Sequence, residues 1–182
     1  EPRLNTQQLN LFGEGEYSST PDSASLDVTT TATWEIWGNF YETGTSRAYL
    51  AKYDTATTQR CWMIARTSSL LAGEMNIYTS ADGSAFSVEK WTGLTDEVGC
   101  LSVTYAAGVI EVYWNASLLT LGSAAGTQAS LFNSSTPVRI GDNENLNWWS
   151  DTKIGSAKIY NVALTADEVL TNYNTQKSLY GL

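Results

Sequence analysis

The chain contains no histidine. That absence removes Ser–His–Asp and Cys–His nucleophile chemistry, and imidazole-ligated zinc or copper with it. Any enzyme built on this sequence has to work with carboxylates, tyrosine, lysine or a hard metal. Basic residues are scarce as well: 10 Lys+Arg stand against 19 Asp+Glu, a formal charge of −9 over 182 residues. A phosphate-tracking surface needs a clustered basic stripe. None is present, which argues against nucleic acid, and an anionic membrane surface is repelled by the same charge. No apolar run approaches the ~20 residues a helix needs to cross a bilayer, so membrane insertion is not expected. Only 2 cysteines occur, Cys61 in "RCWMIA" and Cys100 in "GCLSVTY". They fit no metal spacing. They form either a cross-strand disulfide, worth about 3–4 kcal/mol through the unfolded chain, or two buried free thiols. The chain opens "EPRLNTQQ", with neither Met nor a signal-type apolar region, and reads as a mature form or a piece of something longer.

What is present is β-rich. Hydrophobic residues make up 42% and charged residues 16%, a balance suited to a compact domain, and the length predicts one domain over 1–182. Short alternating runs separated by Gly, Ser, Thr, Asn and Asp recur throughout, the pattern of antiparallel strands. In "TTATWEIWGNFY", Trp34, Ile36 and Phe40 share one parity; Thr33, Glu35, Trp37 and Asn39 share the other. "RAYLAKYD", "RCWMIART", "EMNIYTS", "CLSVTYAAGVIEVYW" and "PVRIGD" are further strands. The "ADG" at 81–83 predicts a tight turn with Gly83 at positive φ, and Gly108 in "YAAGV" predicts a hairpin. One helix is signalled in "NVALTADEVLTNYN". Thr165 and Glu168 make a capping box, and Leu164 and Val169 make a hydrophobic staple. One short helix beside many strands points to a two-sheet antiparallel β-sandwich.

"PVRIGDNENLNWWSDTKIGSAKIYNVALTADEVLTNYN" resembles the end of laminin-G-like domains of the concanavalin A-like lectin/glucanase superfamily. The matching residues are Arg139-Ile140-Gly141, Ile159-Tyr160-Asn161, Ala163-Leu164-Thr165 and Glu168. "LNLFGEGEYSSTPDSASLDVTTTATWEIW" resembles the opening of such a domain, and "LSVTYAAGVIEVYWNASLL" its central hairpin. Departures mark a divergent member: Ala116 follows Asn115 where the family usually has Gly. Alanine resists positive φ, which argues against a type I′ turn there. The resemblance implies an all-β jelly roll with one short C-terminal helix, often calcium, and often a carbohydrate-binding or adhesive role.

Four sets of residues are candidates for chemistry. Glu35 and Glu111 lie on strands of opposite-parity apolar residues. Both then project from one sheet, with Trp37, Asn39, Tyr113 and Tyr78 around them. Glycoside hydrolysis needs two carboxylates about 5–10 Å apart. Trp37 stands where the glucanase branch has Asp, and structural acids on a half-exposed face are the plainer reading. Calcium takes six to eight oxygens; Asp142 and Glu144 are the metal candidates, Glu14 and Glu16 a weaker pair, and no organic cofactor is expected. "NAS" at 115–117 and "NSS" at 133–135 match a glycosylation pattern that arises easily in a Ser/Thr-rich chain. Finally, the loop "GDNENLNWWSD" supplies an aromatic and several amides and acids, the types a sugar needs. Asp142, Asn143, Asn145 and Trp148 are the ligand candidates, while Trp149 is expected to pack as structure.

The sequence thus predicts a non-catalytic carbohydrate-binding or adhesive module, extracellular, cell-surface or virion-associated, with a glycan or glycosylated surface as partner. The alternatives are an assembly domain with an oligomer partner, such as a capsid decoration or fibre, and a carbohydrate-active enzyme using Glu35 and Glu111.

Overall fold

Trp34 and Ile36 point one way from their strand and Glu35 and Trp37 the other, yet all four are buried, so that strand is covered on both faces. The computed structural model describes residues 9–10, 16–40, 44–68, 73–95, 97–126, 128–150 and 153–182. Glu14 lies outside them. In chain order the strands are β1 (Leu9–Asn10), β2 (Ser18–Thr20), β3 (Thr31–Asn39), β4 (Arg47–Asp54), β5 (Gln59–Arg66), β6 (Glu74–Thr79) and β7 (Ser87–Thr92). They continue with β8 (Val98–Ala106), β9 (Val109–Trp114), β10 (Ser117–Leu118), β11 (Thr120–Ala124), β12 (Val138–Ile140) and β13 (Lys153–Tyr160). Helix α1 (Ala166–Gln176) and a 3-10 turn (Lys177–Tyr180) close the chain.

The strands form two antiparallel sheets. A six-stranded sheet has the order β1-β13-β3-β8-β9-β10, and a seven-stranded sheet has the order β11-β7-β6-β5-β4-β12-β2. Their facing sides bury Trp34, Ile36, Trp62, Ile64, Leu101 and Val103 in one core. Trp34 and Trp62 meet across it with centroids 5.0 Å apart, and Phe40 meets Trp114 edge-on at 5.3 Å. Tilted and edge-on pairs place ring edges against ring faces, the favourable quadrupole arrangement. Cys61 and Cys100 sit in opposite sheets as buried free thiols, which resolves the cysteine alternatives.

Turns follow the sequence except at one position. Ala107 and Gly108 take φ 46° and 93° between β8 and β9. Gly83 takes φ 80° in a loop whose Asp82 Oδ1 accepts from the Ser84 and Ala85 amides, each at 2.8 Å. Between β9 and β10 the expectation fails. Asn115 and Ala116 take φ 50° and 63°, joining Trp114 to Ser117 through a two-residue turn. The reason is local: Asn115 Oδ1 accepts from the Cys100 amide at 2.9 Å, which anchors the turn to β8 and holds Ala116 in the left-handed region.

The outer face of the six-stranded sheet is closed by the C-terminal segment. The capping box at Thr165 is present, with the Glu168 amide donating to Thr165 Oγ1 and Glu168 accepting from the Thr165 amide. Behind it, Trp37 stacks on Tyr173 at 5.7 Å and on Tyr180 at 4.4 Å. Gly155 on β13 makes room for this: a Cβ there would lie 2.4 Å from Tyr180 Cε1.

Candidate functional site

The seven-stranded sheet is apolar on its outer side too. Ala48, Ala51, Tyr53, Met63, Ala65 and Tyr78 form a second buried cluster, with Val88 and Trp148 packed on it. Strands buried on both faces read as near-continuous apolar runs, and "YLAKY" and "CWMIA" have that character. The cluster's small members, Ala48, Ala51 and Ala65, leave room for a loop to lie against the sheet.

That loop is 141–150. It is sewn to β4 by backbone bonds: Ala48 N–H donates to Trp148 O at 2.8 Å, Gly141 N–H to Tyr49 O at 3.0 Å, and Glu144 N–H to Tyr53 O at 3.3 Å. Ser150 N–H closes the loop on Gly141 O at 2.8 Å, and Arg47 Nη1 donates to Trp149 O at 2.5 Å. So held, Trp148 stands edge-on to Tyr78 with centroids 6.2 Å apart.

Trp148 is one wall of an open groove of about 330 Å³. Tyr53, Met63 and Tyr78 lie along its floor, and Phe86 and Arg60 stand opposite. Tyr53, Tyr78 and Phe86 lie 5.9–6.4 Å apart as tilted or edge-on pairs. Phe86 is 51% exposed, a large apolar ring offered to solvent. Arg60 extends over it, its guanidinium carbon 5.8 Å from the ring centroid, and donates through Nη1 to the Ser84 carbonyl. Burial pushes the Tyr53 hydroxyl up to about 12 and raises that of Tyr78. Both therefore stay protonated at neutral pH.

Of the loop residues singled out from the sequence, only Trp148 reaches this groove. Asp142 is buried and accepts from Arg139 Nη1 at 3.2 Å; burial raises its pKa, with Arg139 opposing. Glu144 pairs with Arg139 Nη2 at 2.5 Å. Asn143 is buried and donates to Met63 Sδ at 3.3 Å from beneath the loop. Asn145 is exposed and donates to Asp54. One guanidinium therefore bridges Asp142 and Glu144, an arrangement that suits Arg139 better than the many-oxygen cage of calcium. Among the described residues no group of three or more His, Cys, Asp or Glu could hold a metal ion.

The two glutamates lie on the other sheet, on β3 and β9 either side of β8. Glu35 is 1% exposed under α1. It accepts from Lys158 Nζ at 2.9 Å, Trp37 Nε1 at 3.1 Å, Gln176 Nε2 at 3.1 Å and Asn172 Nδ2 at 3.2 Å. A carboxylate so fully engaged is shut off from any substrate. Glu111 is exposed and accepts from the Tyr113 hydroxyl at 2.7 Å. Tyr78, expected beside them, is on the seven-stranded sheet, because alternation along "MNIYT" fixes which face a residue takes but not which sheet. Sequence reasoning missed Tyr53, Arg60, Met63 and Phe86. The signal for the first and third was the two-sided apolar character of β4 and β5; Arg60 and Phe86 carried none.

Two antiparallel sheets, one outer face sealed by a helix and the other open as an aromatic groove, define a lectin-like β-sandwich. The chain belongs to the concanavalin A-like lectin/glucanases superfamily, whose laminin-G-type model matches residues 12–170. A comparison with curated proteins finds no match. Among solved structures the chain is similar to the botulinum neurotoxin serotype D binding domain, at 12% identity and a TM-score of 0.66, over 97% of this chain and 46% of that one. The serotype D ligand-binding domain in complex with N-acetylneuraminic acid gives 13% identity and 0.65, over 96% and 44%. The serotype G binding domain gives 14% and 0.65, over 94% and 42%. At such identities the likeness is one of fold, and this chain spans less than half the length of each.

Proposed function

We propose that the chain is a non-catalytic carbohydrate-binding module of an extracellular or surface protein, and that the groove between Trp148 and Phe86 is its glycan site. The observation that carries this reading is the aromatic lining of the groove, Tyr53, Tyr78, Trp148 and the 51% exposed Phe86, on one sheet face. A pyranose has an apolar C–H face that stacks on indole or phenyl rings, while its hydroxyls need a few oriented polar groups. Thr55 and Arg60 at the groove supply such groups, as does the protonated Tyr53 hydroxyl. Two of the similar structures support a sugar as ligand: one is a complex with N-acetylneuraminic acid and another a complex with SialylT. A shallow site of this size binds weakly alone, and several copies on one surface raise the avidity.

A glycan array probed with the wild-type protein and with Trp148→Ala tests this reading. Binding by the wild type that is lost in Trp148→Ala supports it. No binding by either protein, together with stable oligomers in solution, sinks it in favour of an assembly domain.

A further inference from the structure

Resting on the carbohydrate-binding reading of the same groove, we propose that its ligand is an acidic sugar, a pyranose carrying a carboxylate that Arg60 receives. The charge balance of the lining carries this. Besides Arg60 it consists of aromatic, aliphatic and hydroxyl residues, with Thr55, Val88 and Leu146 completing it. Among the described residues no carboxylate lines the groove, in a chain where acids outnumber bases 19 to 10. Four other cations are paired with acids. Lys52 pairs with Asp22 and Asp27, Lys90 with Glu74, Arg139 with Asp142 and Glu144, and Lys158 with Glu35. Among the described residues Arg60 has no such acid, and its buried Nε has no acceptor.

Arg60 is also held in place before any ligand arrives. Its backbone N–H donates to Gly83 O at 3.1 Å, Nη1 donates to the Ser84 carbonyl, and the guanidinium lies over Phe86. A planar guanidinium already fixed beside an aromatic wall loses little freedom on receiving a carboxylate, and charge-assisted bonds to it are the strong kind. The same cation disfavours the other guest that aromatic rings attract, a quaternary ammonium. The sugar ring lies on Trp148 or Phe86 and its acid group reaches Arg60.

The test is binding by intrinsic tryptophan fluorescence and calorimetry. One arm compares sialyllactose with lactose; another compares galacturonic acid oligosaccharides with their methyl esters; a third uses neutral gluco-oligosaccharides. The expected result is a preference on the order of tenfold for the free acid in the sialic or the uronic arm, whichever source fits. That preference should fall to about twofold in Arg60→Gln, whereas Trp148→Ala weakens every arm. The ester comparison uses the wild-type protein, so it stands even if Arg60→Gln folds poorly. Equal binding of acid, ester and neutral sugars overturns the acidic-sugar inference and leaves the module reading standing. No binding in any arm at millimolar concentration overturns both.

Discussion

The ring of Tyr180 lies 4.4 Å from the ring of Trp37 at an interplanar angle of 13°, so the last turn of the chain is stacked on the third strand. Trp37 is fully buried, with Tyr173 and Tyr180 stacked on it. Tyr180→Ala is expected to cost about 1–3 kcal/mol, the range for truncating a partly buried aromatic. Gly155→Ala, whose Cβ would strike Tyr180 at 2.4 Å, should destabilise the wild type but be nearly neutral in Tyr180→Ala. Chemical denaturation of both single variants and the double variant gives the coupling; strict additivity would mean that the Gly155–Tyr180 contact is not the cause.

At the β9–β10 turn, Ala116 holds φ 63°, a conformation costing an L-residue about 1 kcal/mol. Ala116→Gly should relieve that cost and raise the melting temperature. Asn115→Ala should lower it, since the Cys100 amide loses its 2.9 Å acceptor and a second alanine enters the left-handed region. Thermal melts by circular dichroism decide the two signs.

Acid sensitivity should trace to Asp27 and its pairing with Lys52. Hydrogen bonding to Lys52 holds the Asp27 carboxyl below its usual value. Burial pulls Lys52 down, but hydrogen bonds to Asp22 and Asp27 outweigh it and its pKa ends up raised. A carboxyl whose pKa is lower folded than unfolded contributes stability that is present above its unfolded value of about 3.9 and lost as pH falls through the folded one. Stability should therefore fall below about pH 4. In Lys52→Met this part of the acid loss should shrink, because Asp27 no longer has its cation. Denaturant midpoints from pH 2 to 6 measure it; parallel curves for the two proteins would refute the assignment.

Burial pushes the thiols of Cys61 and Cys100 up to about 12, and each lies in a different sheet. Neither should react with a thiol reagent at neutral pH until the protein unfolds, because the thiolate is the reactive species. Reductant should leave the melting temperature unchanged. A shift on reduction would reveal a bond between them.

Phe86→Ala should separate binding from stability. A ring that is 51% exposed contributes about 1 kcal/mol or less to folding. As a stacking surface it should cost about tenfold in sugar affinity. An unchanged affinity with a lowered melting temperature would make Phe86 a packing residue only.

Local chemistry was legible in the sequence where a short segment decides it. The Thr165 capping box, the Gly108 hairpin and the Gly83 turn depend on residues within a few positions of one another, and all three are present. The two-sheet sandwich followed from strand count and a single helix. The polar run "GDNENLNWWSD" was legible as a loop, but Trp148 faces a floor built from β4, β5 and β6, and no local pattern names such partners. Glu35 shows the same limit from the other side. Its alternation with Trp34 and Ile36 placed it on an outer face, and α1, arriving from more than 130 residues away in sequence, turned that face into an interior. At Ala116 the neighbouring Asn115 side chain, bonded to the Cys100 amide 15 residues away in sequence, overrode the intrinsic preference of alanine.

The chain's last helix and its aromatic groove lie on opposite outer sides of the sandwich. The molecule therefore has a back and a front. A tether or carrier attached beyond Leu182 would leave from the back and present Trp148 and Phe86 outward. Immobilising the protein by that end, on a bead or sensor surface, should leave the groove unobstructed, whereas coupling through the 80–86 or 141–150 loops should block it.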